Sequence, residues 1–232
     1  MDGAYNERLF NKQTIRGKLH FARYYWLKQK IEKYCPRISS VVELGCFDGK
    51  TIDFLPATVL HFHGYDANWE NGLDTAIENY KDQSKYQFYI CDRLEHFKPR
   101  LEEYDISICM ETLEHLPLKE LELYIKKLHE STKDYCFVTV PNEKGVVLLG
   151  KYFIKKFFLH HVPEQYSNRD LFNGFMGRMD KIKRNEGMHK GFDYAELLKV
   201  LEKYFTVVEV NGVPCNAMSK KLNFTIGIVL KK

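Results

Sequence analysis

The chain has 232 residues, of which 44% are hydrophobic and 28% charged, enough to bury one sizeable core in a single soluble domain. Its 35 Lys and Arg against 31 Asp and Glu leave a net charge of +4, too weak a field to mark a nucleic-acid binder by itself. The six cysteines form no CxxC pair, which excludes zinc-knuckle and thioredoxin-like motifs, and no apolar run is long enough to span a bilayer. Cys91, Cys109 and Cys136 sit inside apolar runs and read as small core residues. With an N-terminus lacking an apolar leader region, a reduced, cytoplasmic protein is expected.

Residues 7–34 carry Leu19, Ala22, Trp26 and Ile31 at roughly helical spacing and predict one or two helices ending before Pro36. Short apolar runs then alternate with helical segments. Strands are predicted at 40–45, 60–66, 86–91, 105–110 and 135–140, and helices near 50–55, 72–82, 94–102 and 117–130. In the last helix, Pro117 suits the first helical position, and Leu118, Leu121, Ile125 and Leu128 form one stripe. Asp193 is a candidate helix cap, with Glu196 completing a capping-box-like pattern, and Leu197, Leu198, Leu201, Tyr204 and Phe205 make the buried face. The runs 205–210 and 223–230 are joined by a link holding Gly212 and Pro214, too short for a helical crossover, so the closing strands are expected to be antiparallel. The alternation predicts an α/β fold: a doubly wound seven-stranded sheet, mostly parallel with an antiparallel last strand, and helices on both faces.

One segment breaks the rhythm. From Glu143 to Gly191 no strand is evident, and ten Lys/Arg against five Asp/Glu give it a local +5, leaving −1 for the rest of the chain. Residues 1–232 read as a single domain, with N-terminal helices over 1–35 and an inserted lid or substrate-binding segment over 143–191.

The stretch VVELGCFDGKT (41–51) runs from a buried strand into a glycine turn. A ligand in an open parallel sheet binds beyond the carboxyl ends of the strands, where such a turn lets it approach the backbone. The dinucleotide fingerprint G-x-G-x-x-G fails because Phe47 stands where its second glycine would be. The phosphate loop G-x-x-x-x-G-K-[ST] fails by one residue, although Lys50 and Thr51 imitate its ending. What remains is Glu43-x-Gly45-x-x-x-Gly49, followed by Asp66 after the second strand, 21 positions beyond Gly45.

This pattern resembles motif I of class I S-adenosylmethionine (SAM)-dependent methyltransferases, over residues 38–142 and again 193–230. The resemblance implies a Rossmann-like fold and SAM as cofactor. It implies that Asp66 takes the ribose hydroxyls, that Asp92 lies near the adenine amine, and that Glu43 fixes loop amides or meets the methionine ammonium. It also places Gly45, Cys46, Phe47, Gly49, Ala67, Arg93, Met110 and Glu111 along the cofactor, with Tyr65 and Arg93 flanking the two acids. The stretch METLEHLP (110–117) is similar to one in ubiquinone-pathway O-methyltransferases. There, as in bacterial small-RNA terminal 2′-O-methyltransferases, Glu111, Glu114 and His115 would correspond to metal-associated positions, joined in the latter by a later histidine. Metal-free relatives share the same LEHL, so a divalent cation on these residues is the less favoured reading.

If 111–115 is helical, Glu111, Glu114 and His115 share a face suited to a hard divalent ion. His189, His160 and His161 are further candidates to take a proton from a hydroxyl acceptor; Glu111, His115 and His189 are the preferred catalytic bases. In the segment 150–163, Tyr152, Phe153, Ile154, Phe157 and Phe158 alternate with lysines. A helical lid over the pocket is the favoured reading, with contact to an anionic acceptor or a transient membrane-surface contact beside it. The leading expectation is O-methylation of a small-molecule, glycan or nucleotide-linked acceptor by direct in-line transfer, the glycan resting on general likeness to methyltransferases of bacterial surface-polysaccharide pathways. A metal-dependent RNA 2′-O-methyltransferase and a non-catalytic SAM-fold binding protein are the alternatives. DNA is not expected as a partner, and RNA is disfavoured by the small charge.

Overall fold

Two residues at the centre of the fold, Val41 and Val42, are adjacent in sequence and both fully buried, on opposite faces of one sheet. A strand covered on both sides reads as a continuous apolar run, and helices must supply both covers. The computed structural model describes residues 15–157, 166–185 and 187–232. In chain order it contains α1 (Ile15–Tyr34), β1 (Ser40–Leu44), β2 (His61–Asp66), α2 (Gly72–Tyr80) and β3 (Tyr86–Ile90). Then follow β4 (Tyr104–Met110), α3 (Leu118–Ser131), β5 (Thr132–Pro141), α4 (Gly145–Phe157) and α5 (Asn168–Phe175). The chain closes with α6 (Tyr194–Leu201), β6 (Thr206–Val213) and β7 (Thr225–Lys231).

The strands form one seven-stranded sheet in the order β3-β2-β1-β4-β5-β7-β6. β1 to β5 pair in parallel, and β7 runs antiparallel between β5 and β6. The expected antiparallel ending is therefore present. Gly212 lies inside β6 rather than in the link, paired with Ile226.

On one face, α3 and α6 bring Leu121, Ile125, Leu128, Leu197 and Leu201 against Leu44, Cys109, Val138 and Ile228. On the other, α1 and α2 bring Phe21, Leu27, Ile31 and Leu73 against Val41, Phe62, Ile108 and Val229. The Trp26 ring lies on Gly227 of β7, where any side chain would collide with it, and its Nε1 donates to Asn211 Oδ1 at 3.0 Å. Lys30 and Tyr34 hold Glu209 of β6 at 2.9 and 2.7 Å. Helix α1 is thereby fastened to the antiparallel end of the sheet.

Four expectations need correction. No helix forms over 94–102; Leu94–His96 makes a single 3-10 turn, and Pro99, lacking an N–H, follows at once. The segment 50–54 is a 3-10 turn as well. Pro117 is the residue before the first turn of α3, and Leu118 is exposed while Tyr124 takes its place in the buried stripe. Asp193 does cap α6, its Oδ1 accepting from Ala195 N at 2.8 Å, but Glu196 pairs outward with Lys199 rather than closing a capping box.

Candidate active site

β1 ends at Leu44, and the next residues turn sharply. Gly45 has φ +81° and its N–H donates to Tyr65 O at 2.7 Å; a Cβ here would land on the Thr112 side chain. Only glycine meets both conditions. The same contact puts the β1 turn directly beside the loop after β4. Phe47 has φ 47°, so it occupies the left-handed region that its position demands without being glycine, a strain of about 1–2 kcal/mol. Its ring lies on Gly72 at the start of α2, where a Cβ would strike it, and 6.0 Å from the Trp69 ring.

Glu43 is buried inside β1. Its Oε1 accepts from Thr51 Oγ1 at 2.7 Å, and its Oε2 has no hydrogen-bond partner. Burial pushes its carboxyl up to about 8, against the Thr51 bond, which favours the charged form. An orphaned carboxylate oxygen beneath a glycine turn suits an ammonium group, the part of SAM that a phosphate-binding loop could not accommodate. Thr51, which imitates a phosphate-loop ending in the sequence, instead holds this acid.

Asp66 closes β2. Its Oδ2 accepts from Phe47 N at 3.0 Å and its Oδ1 from Asn68 N at 2.8 Å, so one carboxylate ties the β1 turn to the β2 loop. Burial raises its pKa, and these amides pull it back. Trp69 N–H bonds the same carboxylate, so three of its about four lone-pair positions are engaged and one is left for a ribose hydroxyl. Ala67, next along, is exposed. Asp92 follows β3 but is exposed and engaged with His96 Nδ1 at 2.6 Å and Arg93 Nε at 3.5 Å. The His96 hydrogen bond holds its carboxyl below the usual range. Cys46 and Met110 are buried core residues, Cys46 against Gly64. Gly49 takes φ +74° at the head of the 3-10 turn. Tyr65 faces away from the turn: its ring stacks on Tyr89 at 5.0 Å and its hydroxyl donates to Lys98 O, so it is not beside the ribose acid's open side.

The loop after β4 carries the remaining groups. Glu111 has φ 52°, its N–H donates to Thr139 O at 2.8 Å, and its Oε1 is buried without a partner. A non-glycine residue held in this region at a strand end is a strained, over-determined position. Residues 113–115 form only one 3-10 turn, yet it buries Glu114 completely, with neither carboxylate oxygen hydrogen-bonded. Burial and the neighbouring Glu111 push the Glu114 carboxyl up.

His189, from the far end of the insertion, meets this loop. Its Nε2 lies 3.3 Å from His115 Nε2, while His115 Nδ1 is held by Gly187 O at 2.9 Å. His189 Nδ1 faces Glu143 Oε1 at 3.6 Å, and Lys151 Nζ donates to the same oxygen at 2.8 Å. Burial disfavours the imidazolium of His189, but Glu143 and Glu114 together outweigh it and raise the pKa. Burial likewise opposes the Glu143 charge, yet Lys151 and His189 bring its carboxyl down to about 2. Ligand atoms of Glu114, His115 and His189 all lie within 4.8 Å of one another. The group that converges differs from the Glu111, Glu114 and His115 set that the sequence offered as the less favoured, metal-holding reading: His189 enters it and Glu111 is not among the grouped residues. Two nitrogens bound at about 2.0–2.1 Å to one ion lie roughly 3.0–3.4 Å apart, so the histidine spacing fits a shared cation. His160 and His161 lie outside the described residues.

Glu143, Lys151, Gly187 and Thr112 were not candidates from sequence. The Asn142-Glu143 pair after β5 is the one local signal for the first. A separate hollow of about 380 Å³ lies under the β2–β3 edge, lined by His63, Tyr65, Tyr89 and Lys98 among others. It opens where the helix expected over 94–102 is absent, and none of its lining belongs to the turn or the histidine pair.

Neither a protein-family model nor a curated protein sequence matches the chain. Solved structures do. The methyltransferase domain of bacterial CtHen1 superimposes with a TM-score of 0.63 at 17% identity, over 92% of this chain and 100% of that one. Magnesium protoporphyrin IX methyltransferase from Synechocystis PCC 6803, solved with bound SAH, gives 0.63 at 17%, over 100% and 90%. The N-methyltransferase NodS from Bradyrhizobium japonicum WM9 gives 0.59 at 12%, over 93% and 97%. The fold is that of SAM-dependent methyltransferases.

Proposed function

We propose that the protein transfers the methyl group of SAM to a sugar-type hydroxyl of a small-molecule or glycan acceptor, with a divalent cation held by Glu114, His115 and His189. The observation that carries this reading is the buried Glu114 carboxylate, without a hydrogen-bond partner, facing two imidazole Nε2 atoms 3.3 Å apart. A buried anion of this kind is retained where something positive completes it. Two imidazoles and a carboxylate suit a borderline metal such as Mn²⁺ or Zn²⁺. Such a cation, when bound, would orient a hydroxyl and lower its pKa.

Cofactor binding falls to Glu43 for the ammonium, Asp66 for the ribose hydroxyls and Gly45 for close approach of the backbone. Transfer is an in-line displacement: the acceptor O–C bond forms as the S–C bond breaks, and the sulfonium leaves as a neutral thioether. Most of the catalysis is positioning. With both Nε2 atoms committed, Glu111, whose Oε1 is buried and unpartnered, takes the hydroxyl proton.

A second reading has the same chemistry on the terminal ribose of an RNA. It is favoured by the grouping of two histidines with Glu114, together with the fold likeness to the CtHen1 domain. The net charge of +4 offers little attraction to a phosphate backbone. Calorimetric titration of Mn²⁺ into the wild type and Glu114→Gln, followed by methyl transfer from labelled SAM to glycan and RNA-end acceptors, tests both. Manganese binding that Glu114→Gln abolishes supports the cation site. Equal binding by the two proteins overturns it, and transfer to RNA ends alone selects the second reading.

A further inference from the structure

Helices α4 and α5 pack together where Leu148 covers Gly174, at a point where a side chain on Gly174 would collide with it. Their outer faces are apolar. On α4, Val146, Phe153, Ile154 and Phe157 are exposed, Phe157 at 60%, and they fall on one stripe at 3.6 residues per turn. Gly150, on the same stripe, faces open space. On α5, Phe172 is 58% exposed, and Phe175 and Met176 accompany it at helical offsets of three and four. A soluble surface does not ordinarily gather seven large apolar side chains on two adjoining helices.

The charges around them are sorted. Lys144, Lys151 and Lys190 are paired with Asp193, Glu143 and Asp170. Arg169, Arg178, Lys181 and Lys183 are exposed and form no ion pair among the described residues, and Lys156 lies over the Phe157 and Tyr152 rings. Among the described residues of 143–191, Asp180 is the one exposed acid. Glu143 and Asp170 are thus taken up by lysines, while Arg169 shares the α5 face of Phe172 and Met176 and Lys156 lies on the α4 stripe at Phe157.

We propose that the α4–α5 pair is a peripheral docking face for an anionic phospholipid surface. An apolar stripe rimmed by cations is the pattern of a helix lying in a bilayer interface, its rings in the acyl boundary and its cations at the phosphates. No described helix is long and apolar enough to cross a membrane, so the contact is one of lying on the surface. A second copy of the chain is the poorer occupant, because two positive faces would meet. Nucleic acid would use the cations and rings but leave Val146, Ile154 and Met176 without a role. Lys151 of α4 pairs with Glu143, which faces His189, and Asp170 of α5 pairs with Lys190 beside that histidine, so both helices are joined to the His189 loop.

The test is flotation of the full chain with phosphatidylcholine vesicles, with and without phosphatidylglycerol, at low and high salt. The protein is expected to float with the anionic vesicles at low salt and not with pure phosphatidylcholine. Phe153→Ser/Phe157→Ser and, separately, Arg169→Glu/Lys183→Glu are each expected to weaken this at least about tenfold while leaving S-adenosylhomocysteine binding unchanged. The charge variant alters exposed side chains only and keeps the test valid if the first variant misfolds. Failure to float with anionic vesicles overturns the proposal, as does equal flotation of wild type and charge variant. So does capture of a single-stranded RNA oligonucleotide by this face in place of vesicles.

Discussion

His115, in the loop after β4, and His189, in the segment before α6, are 74 residues apart in sequence, yet their Nε2 atoms lie 3.3 Å apart beside the buried Glu114. Each ring has its Nδ1 turned to an acceptor, Gly187 O for His115 and Glu143 for His189. That arrangement brings the two Nε2 atoms together within 4.8 Å of a Glu114 oxygen. Replacing His189 by Asn is expected to lower Mn²⁺ affinity and methyl transfer together, each by at least about 100-fold, while S-adenosylhomocysteine affinity stays within about twofold. Calorimetry with each ligand separates the two effects.

Glu143 faces His189 Nδ1 at 3.6 Å and is held by Lys151. Glu143→Gln is expected to reduce Mn²⁺ affinity by about 10–100-fold, as loss of an outer carboxylate does at other metal-bound histidines. Nitrogen-15 chemical shifts of the His189 ring give an independent reading: in the metal-free wild type, at a pH high enough for the ring to be neutral, the proton is expected on Nδ1 facing Glu143, and in the variant the two tautomers are expected to mix. Unchanged shifts would assign Glu143 a merely structural part.

Glu43 makes stability depend on pH. Its folded pKa, about 8, lies above the ordinary value of 4.5, so the folded state binds more protons than the unfolded one between these values. The stabilisation is complete below about 4.5 and is lost as pH rises through about 8. Glu43→Gln, which keeps the Thr51 contact, is expected to flatten this dependence and to gain on the order of a few kcal/mol relative to wild type above pH 8. Urea unfolding across that range checks it. S-adenosylhomocysteine, bringing an ammonium to the orphaned oxygen, is expected to shrink the wild-type dependence.

Phe47 and Gly72 are coupled. Gly72→Ala places a methyl group inside the Phe47 ring and is expected to destabilise by roughly 1–3 kcal/mol. Phe47→Gly removes the ring and relieves the left-handed strain, so the double variant should recover most of the Gly72→Ala loss. Additive losses in a double-mutant cycle would contradict the contact.

Much of this fold can be read from the strands. Buried runs such as 105–110 and 135–140 carry their own length and neighbours, and the short link before β7 forces an antiparallel return. The segment 94–102 misleads because Leu94, Phe97 and Leu101 sit at helical intervals, while only Phe97 is core and Leu101 is 71% exposed. Pro99 was the signal against a helix. Tyr65 was also legible in principle: neighbours on a strand point to opposite faces, so a residue beside Asp66 could not share its side. The Glu143–His189 and His115–His189 contacts were not legible. They join positions far apart in sequence through residues 143–191, a stretch with no motif of its own, and tertiary packing alone brings them together.

The most direct measurement is calorimetric titration of S-adenosylhomocysteine into the wild type and Asp66→Ala. One-site binding by the wild type, weakened at least about tenfold in the variant, is the expected result, since Asp66 ties Phe47 N to the β2 loop and its carboxylate is the proposed ribose acceptor. No binding by the wild type, or equal binding by the two proteins, would contradict the assignment of this turn to the methyl donor.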